Sequence, residues 1–234
     1  MYKIKIVVTL FFLLEVSVAM GQQLSGQIEN HPKSKMDLVL MPFGMDYTIS
    51  IGSVDQKGQF SVNLTGLDFG SVPEEVQSMF GGELGYSFFF GCDDSQEFGA
   101  GFEIPAMRVD YIRMNRDGQW AGTVFLVSDE NLRPWLEDSG YNNAVKGSFY
   151  EVIYVEADVS IHTICGAQIY ASDEEMVDVE YDFQLELKAG FNWVEYEILE
   201  VFETNPEIRA SFPSKVKIQN LQNPAEMKWI GTYY

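Results

Sequence analysis

Histidine and cysteine are nearly missing from this chain, which holds two of each in 234 residues: His31, His162, Cys92 and Cys165. A serine or cysteine hydrolase needs a nucleophile, a base and usually an orienting acid. In IHTICGAQIY, His162 and Cys165 stand three apart on a predicted strand and so point to opposite faces, while His31 precedes Pro32 in a turn. No Gly-x-Ser-x-Gly elbow occurs, and Ser214-Lys215-Val216-Lys217 matches Ser-x-x-Lys only in letters. Two cysteines are too few for a disulfide scaffold or a four-cysteine zinc site. Cys92 and Cys165 are expected either to pair or to remain buried as separate thiols.

Positive charge is scarce as well: 15 Lys and Arg face 35 Asp and Glu, a net charge of −20. Such a field repels phosphate backbones, so nucleic acid and anionic membrane surfaces are poor partners. Long apolar runs are confined to the start. There, Lys3 and Lys5 precede a run from Ile6 to Leu14, and Ala19 and Gly21 follow, which is the pattern of a secretory signal peptide over residues 1–21. Glu15 cuts the run short, and no later segment has the roughly 18 apolar residues a membrane helix needs. The expected product is an exported mature chain, residues 22–234, placed in the periplasm, at the cell surface or outside.

Helical periodicity is nearly absent, and alternating apolar and polar residues recur between turn signals about 8 to 12 residues apart. The pattern predicts an all-β fold, a mainly antiparallel β-sandwich or alternatively a closed β-barrel, with one or two short helices. VDQKGQF (Val54–Phe60) and NRDGQW (Asn115–Trp120) read as glycine hairpins. SVPEEVQSMFGG reads as a capped helix, while Pro134 weakens a second one over residues 131–138. The glycine- and acid-rich stretch 81–104 is the place where two modules would meet.

In YDFQLELKAGFNWVEYEIL (Tyr181–Leu199) the alternation meets Gly190 and resumes out of step. A hairpin over Lys188-Ala189-Gly190 sets Leu187 against Phe191 and would bury Glu195 opposite Phe183. A β-bulge at Trp193-Val194 avoids this and brings Phe183 to Tyr196 and Tyr181 to Ile198. Trp193 then belongs to the core.

LKAGFNWV resembles the Leu-Lys-x-Gly-(Trp/Phe)-Asn-x-Val hairpin of exported proteins of Bacteroidetes-type bacteria. LSGQIENHPKSKMDLVLMPF followed by VDQKGQFSVNL resembles the carboxypeptidase-regulatory-like, transthyretin-like β module with which such proteins often begin. YEVIYVEADVS and MKWIGTYY are similar to other strands of theirs. The resemblance implies a fold and a compartment and carries no catalytic residue.

Carboxylates are the remaining chemistry. A glycosidase needs two that converge, and nothing in the sequence singles out a pair from Asp110, Glu151, Glu156 and Asp158. Calcium binds clustered carboxylate oxygens, and two acidic clusters occur, CDDSQEFG (Cys92–Gly99) and SDEEMVDVEYD (Ser172–Asp182). In the second, Asp173, Glu174, Glu175, Asp178 and Asp182 are candidate ligands, with Glu197 facing Asp182 in the hairpin register. The function expected is a non-catalytic exported protein that binds a glycan or an envelope protein, with GYSFFFG and GSFYEVIYVEA as candidate aromatic faces. The alternatives are a carboxylate hydrolase and a calcium-binding structural module.

Overall fold

The computed structural model describes residues 22–40, 47–67, 70, 72–75, 77, 81–93, 99, 101–109, 111–172, 175–205, 207 and 209–234. The expected signal peptide therefore lies outside the described residues, as do Asp110, Asp173, Glu174 and the middle of the first acidic cluster. Fourteen strands form among the described residues: β1 Gln23–Glu29, β2 Met36–Leu40, β3 Ile49–Val54, β4 Gln59–Asn63, β5 Gly82–Glu83, β6 Pro105–Val109, β7 Ile112–Arg116, β8 Gln119–Val127, β9 Gly147–Val155, β10 Val159–Tyr170, β11 Met176–Leu187, β12 Gly190–Phe202, β13 Phe212–Asn220 and β14 Lys228–Tyr233.

The fold is all-β, and seven of its strands close on themselves. β8 pairs with β14, β14 with β1, β1 with β4, and the ring returns through β3, β2 and β7 to β8. Every pairing is antiparallel except β1 with β14. Closure removes the two free edges that an open sheet of this length would expose. The even-numbered apolar residues of most of these strands fill the interior, among them Leu38, Leu40, Phe60, Val62, Ile112, Met114, Val124 and Leu126, joined by the odd-numbered Trp229 of β14. The period of two in the sequence is the inside–outside alternation of the barrel wall.

The remaining strands extend from this ring. β9 adjoins β8 at Val127–Phe149 and carries β6 on one side and β12 on the other; beyond β12 lie β13, β11 and the edge strand β10. One face of this layer builds a second core with Phe88, Phe90, Leu132 and Trp135. Phe149 and Tyr196, both fully buried, stack there with ring centroids 4.7 Å apart. Each such ring contributes roughly 1.5–3 kcal/mol by leaving water.

The glycine hairpins form where the sequence puts them: Gly58 closes β3–β4 at φ +81°, and Asp117 and Gly118, at φ +54° and +76°, close β7–β8. Glu74, Glu75 and Gln77 are helical. The short helix α1, Arg133–Glu137, begins just before Pro134, so the proline occupies the first turn, where its missing N–H costs nothing.

β6 and β7 follow closely in sequence but part in the fold, because β6 pairs with β9 and β7 belongs to the barrel. Two expectations are corrected. β11 and β12 are not hairpin partners: β13 lies between them, parallel to β11 and antiparallel to β12. Phe183 and Tyr196 still share a row, and so do Tyr181 and Ile198, but each row runs through a β13 residue, Ile218 or Val216.

No bulge occurs at Trp193-Val194 either, since the register with β9 runs unbroken from Gly190 to Ile198. The change of phase has another cause: Phe191 and Trp193 pack into the barrel core, Val194, Tyr196 and Ile198 into the second one. One straight strand serves two cores with its two faces.

Candidate binding cleft

A bulge in β8 re-aims an aromatic. Met114 pairs with Gly122 but Asn115 pairs with Trp120, so Ala121 is the extra residue. In unbroken alternation Trp120 would share the inward side of Gly122 and Val124. The bulge turns it to the outer face of the barrel, beside Arg113, at 49% exposure. The guanidinium of Arg113 lies 4.3 Å from the centre of the indole ring, and Tyr234 meets the same ring edge-on at 4.9 Å. The indole N–H donates to the Gly122 carbonyl at 2.8 Å, which fixes the ring in place.

Below these rings the outer faces of β7, β8 and β14 form a floor. Arg113, Thr123 and Thr232 stand in one row across the three strands, with Phe125 and Tyr111 beyond it. Helix α1 closes the far end. It is tied down by the Tyr111 hydroxyl, which donates to the Leu136 carbonyl at 2.9 Å, and by the Thr232 hydroxyl, which donates to Glu137 at 2.9 Å. Arg133 donates to Thr232 at 3.4 Å and lies 3.9 Å from Glu137. The result is a cleft of about 520 Å³, within the range of small-ligand sites, lined by aromatics with a few convergent polar groups.

The residues singled out from sequence lie elsewhere. GSFYEVIYVEA is almost wholly β9, buried on both faces, and of the aromatics in GYSFFFG only Tyr86 is well exposed, so neither segment supplies an aromatic binding face. Cys92 and Cys165 are joined in a disulfide, with Cα atoms 5.7 Å apart, which pins the segment after Phe90 to β10. His31 bridges the Tyr233 hydroxyl and the Ser34 carbonyl within a turn.

Buried carboxylates exist, but they do not converge. Glu151 and Glu195 stand on adjacent strands with their neighbours in register, Val194 and Tyr150, so they occupy opposite faces of the sheet. Glu151 takes two hydrogen bonds from Arg108, and Glu195 accepts one from Ser148 at 2.8 Å. Burial raises the neighbouring phenols: Tyr150 is pushed up to about 12 by desolvation and then by Glu195, and Tyr196 well above its ordinary value by desolvation and then by Glu151. Asp158 is held below the usual carboxylate range by the Ala189 N–H and Lys188. Glu156 lines a separate cavity of about 240 Å³ without a second acid among the described residues.

In the acidic segment, Glu175 forms the β10–β11 turn, Asp178 accepts from Gln168 at 2.9 Å, and Asp182 accepts from Gln184 at 2.7 Å. Asp182 and Glu197 do not face each other: Lys217 of β13 stands in register between them. Among the described residues no group of three His, Cys, Asp or Glu side chains is placed to hold a metal ion. No helix among them is long and apolar enough to cross a membrane. The chain matches no known family model, no curated protein and no solved structure.

The cleft escaped the sequence reading because NRDGQW was read for its turn alone. The signal was there: across the two-residue turn Asp117-Gly118, Ile112 and Met114 would fall on the face opposite to Val124 and Leu126, so one core for all four demands a slipped residue.

Proposed function

We propose that this is an exported, non-catalytic β protein that binds a glycan at the cell envelope or outside the cell, in the cleft between Trp120, Tyr234 and α1. The observation that carries the reading is the bulge at Ala121, which brings a large aromatic out of the barrel wall and onto a concave surface. A half-exposed tryptophan stabilises folding little in that position, whereas ring faces beside hydroxyl and guanidinium donors suit a sugar, with its apolar C–H face and polar rim. Export is supported by the amino-terminal pattern over residues 1–21 and by the Cys92–Cys165 disulfide, which suits an oxidising compartment. The resemblance to Bacteroidetes-type exported proteins points the same way.

Trp120 also supplies the assay. Trp135, Trp193 and Trp229 are 3–4% exposed, so quenching by an aqueous agent reports Trp120. A glycan array and a fluorescence titration of the purified protein, run beside a hydrolase screen, test the proposal. Binding without turnover, weakened about tenfold or more by Trp120→Ala, supports it. Turnover abolished by Glu137→Gln would reject it.

A further inference from the structure

We infer that the saccharide is acidic and that Arg113 receives its carboxylate; this rests on the cleft being the binding site. Only five arginines occur in the chain, against 35 acids, and they are not used alike. Arg108 is spent on Glu151. At the cleft, Arg133 and the Thr232 hydroxyl satisfy Glu137, the one acid among the described residues that line it. Among the described residues Arg113, Arg116 and Arg209 pair with no carboxylate, and of these three Arg113 is the one that lines the cleft. Its partner there is the Trp120 ring.

An unmatched guanidinium in a protein of charge −20 is a local reversal of sign on a surface built for the opposite one. Stacking uses only the face of the guanidinium. Its N–H edge stays available, and that planar fork matches the two oxygens of a carboxylate. Thr123 stands next to Arg113 in the row, and Thr232, held by Glu137, follows on β14. The surrounding negative field disfavours a polyanion. The ligand class is therefore a glycan with a uronic acid in an otherwise neutral chain, its pyranose ring against Tyr234 and Trp120 and its carboxylate at Arg113.

The test uses a disaccharide ending in glucuronic acid and the same disaccharide with that carboxyl reduced to the alcohol, titrated against the purified protein by calorimetry and Trp120 quenching. The acid is expected to bind about tenfold or more tighter than the alcohol. Arg113→Gln should bring the acid's affinity down to that of the alcohol measured on the same variant, and Arg113→Lys, which keeps the charge but loses the fork, should retain only part of the preference. Equal affinity for both sugars, lost in Trp120→Ala, would overturn the acidic assignment and leave the cleft standing. Glycan binding indifferent to Trp120→Ala and Tyr234→Ala, or none across the array, would overturn both.

Discussion

Arg108 holds Glu151 with two hydrogen bonds, 3.1 Å from Nε and 2.7 Å from Nη2, where the Glu151 side chain is 1% exposed. The guanidinium also lies 4.8 Å from the centre of the Phe89 ring, whose backbone N–H donates to the Tyr196 hydroxyl at 3.2 Å. An ionised carboxylate so deep is tolerable only while the cation stays beside it. Arg108→Met is expected to destabilise the protein by about 3–5 kcal/mol, and Arg108→Met with Glu151→Leu by much less, because the second change removes the stranded charge. Urea unfolding of the three proteins checks this; a double variant no more stable than the single one contradicts it.

His162 and Glu186 make an exposed pair on β10 and β11, Nε2 to Oε1 at 2.8 Å, with Gln184 on Nδ1. The Glu186 bond, then that to Gln184, raises the histidine above its ordinary value; Glu186 is lowered, first by the Ser160 hydroxyl and then by His162. The raised histidine adds stability that is complete below the unfolded histidine pKa and is lost as pH rises through the folded one. The lowered carboxylate adds stability present above the unfolded carboxylate pKa and lost as pH falls through the folded one. The pair is therefore strongest between those limits, at mildly acidic pH. A proton NMR titration of His162 should show the elevation, and Glu186→Gln should bring it down; an unmoved titration would refute the pairing.

Lys217 separates Asp182 from Glu197, and Lys215 stands likewise between Glu180 and Glu200, 2.8 Å from the former. The acidic residues of this face thus have cations supplied by β13. Millimolar calcium is expected to leave the melting temperature unchanged. Lys217→Gln should cost a few tenths of a kcal/mol to about 1 kcal/mol by removing the cation that stands between Asp182 and Glu197. A calcium-dependent rise in the unaltered protein would instead assign a bound ion to the segment around Glu175 and Asp178.

The same β13 explains how far the sequence could be read. Strand positions and turns were legible because period-two alternation and Asp-Gly or Lys-Gly turns are local signals: the β7–β8 hairpin needs only Asp117 and Gly118 to take positive φ. Pairing was less so. Phe183 and Tyr196 do share a row, but the hairpin and the bulge expected to bring them face to face do not exist, and nothing local reveals that Ile218 comes between them. β12 misled for a related reason, since a strand with a core on each side breaks the alternation from which bulges are inferred. The cleft joins Arg113, Trp120, Glu137 and Thr232 from four elements, and their proximity is a product of barrel closure that no spacing records.

Barrel closure and the cleft can be broken together at Gly122. This residue sits where β8 is paired to both Met114 of β7 and Tyr233 of β14, directly after the bulged Ala121. A Cβ added there would lie 2.5 Å from the Thr232 carbonyl oxygen and 2.9 Å from the Met114 methyl. The methyl group can yield, but the β14 backbone cannot without giving up its ladder to β8. Gly122→Ala is therefore expected to destabilise the protein by about 1–3 kcal/mol as an overpacked contact. It should also displace the Gly122 carbonyl that anchors the Trp120 indole, so that quenching of Trp120 changes even in protein that remains folded. Gly66→Ala makes the comparison, because Gly66 has a positive φ of +75° but no heavy atom within 4 Å of an added Cβ. It should cost about 1–2 kcal/mol of stability through backbone strain alone and leave Trp120 untouched. If Gly122→Ala matches the unaltered protein in both unfolding and quenching, β8 does not meet β14 as described and the floor of the cleft is wrongly drawn.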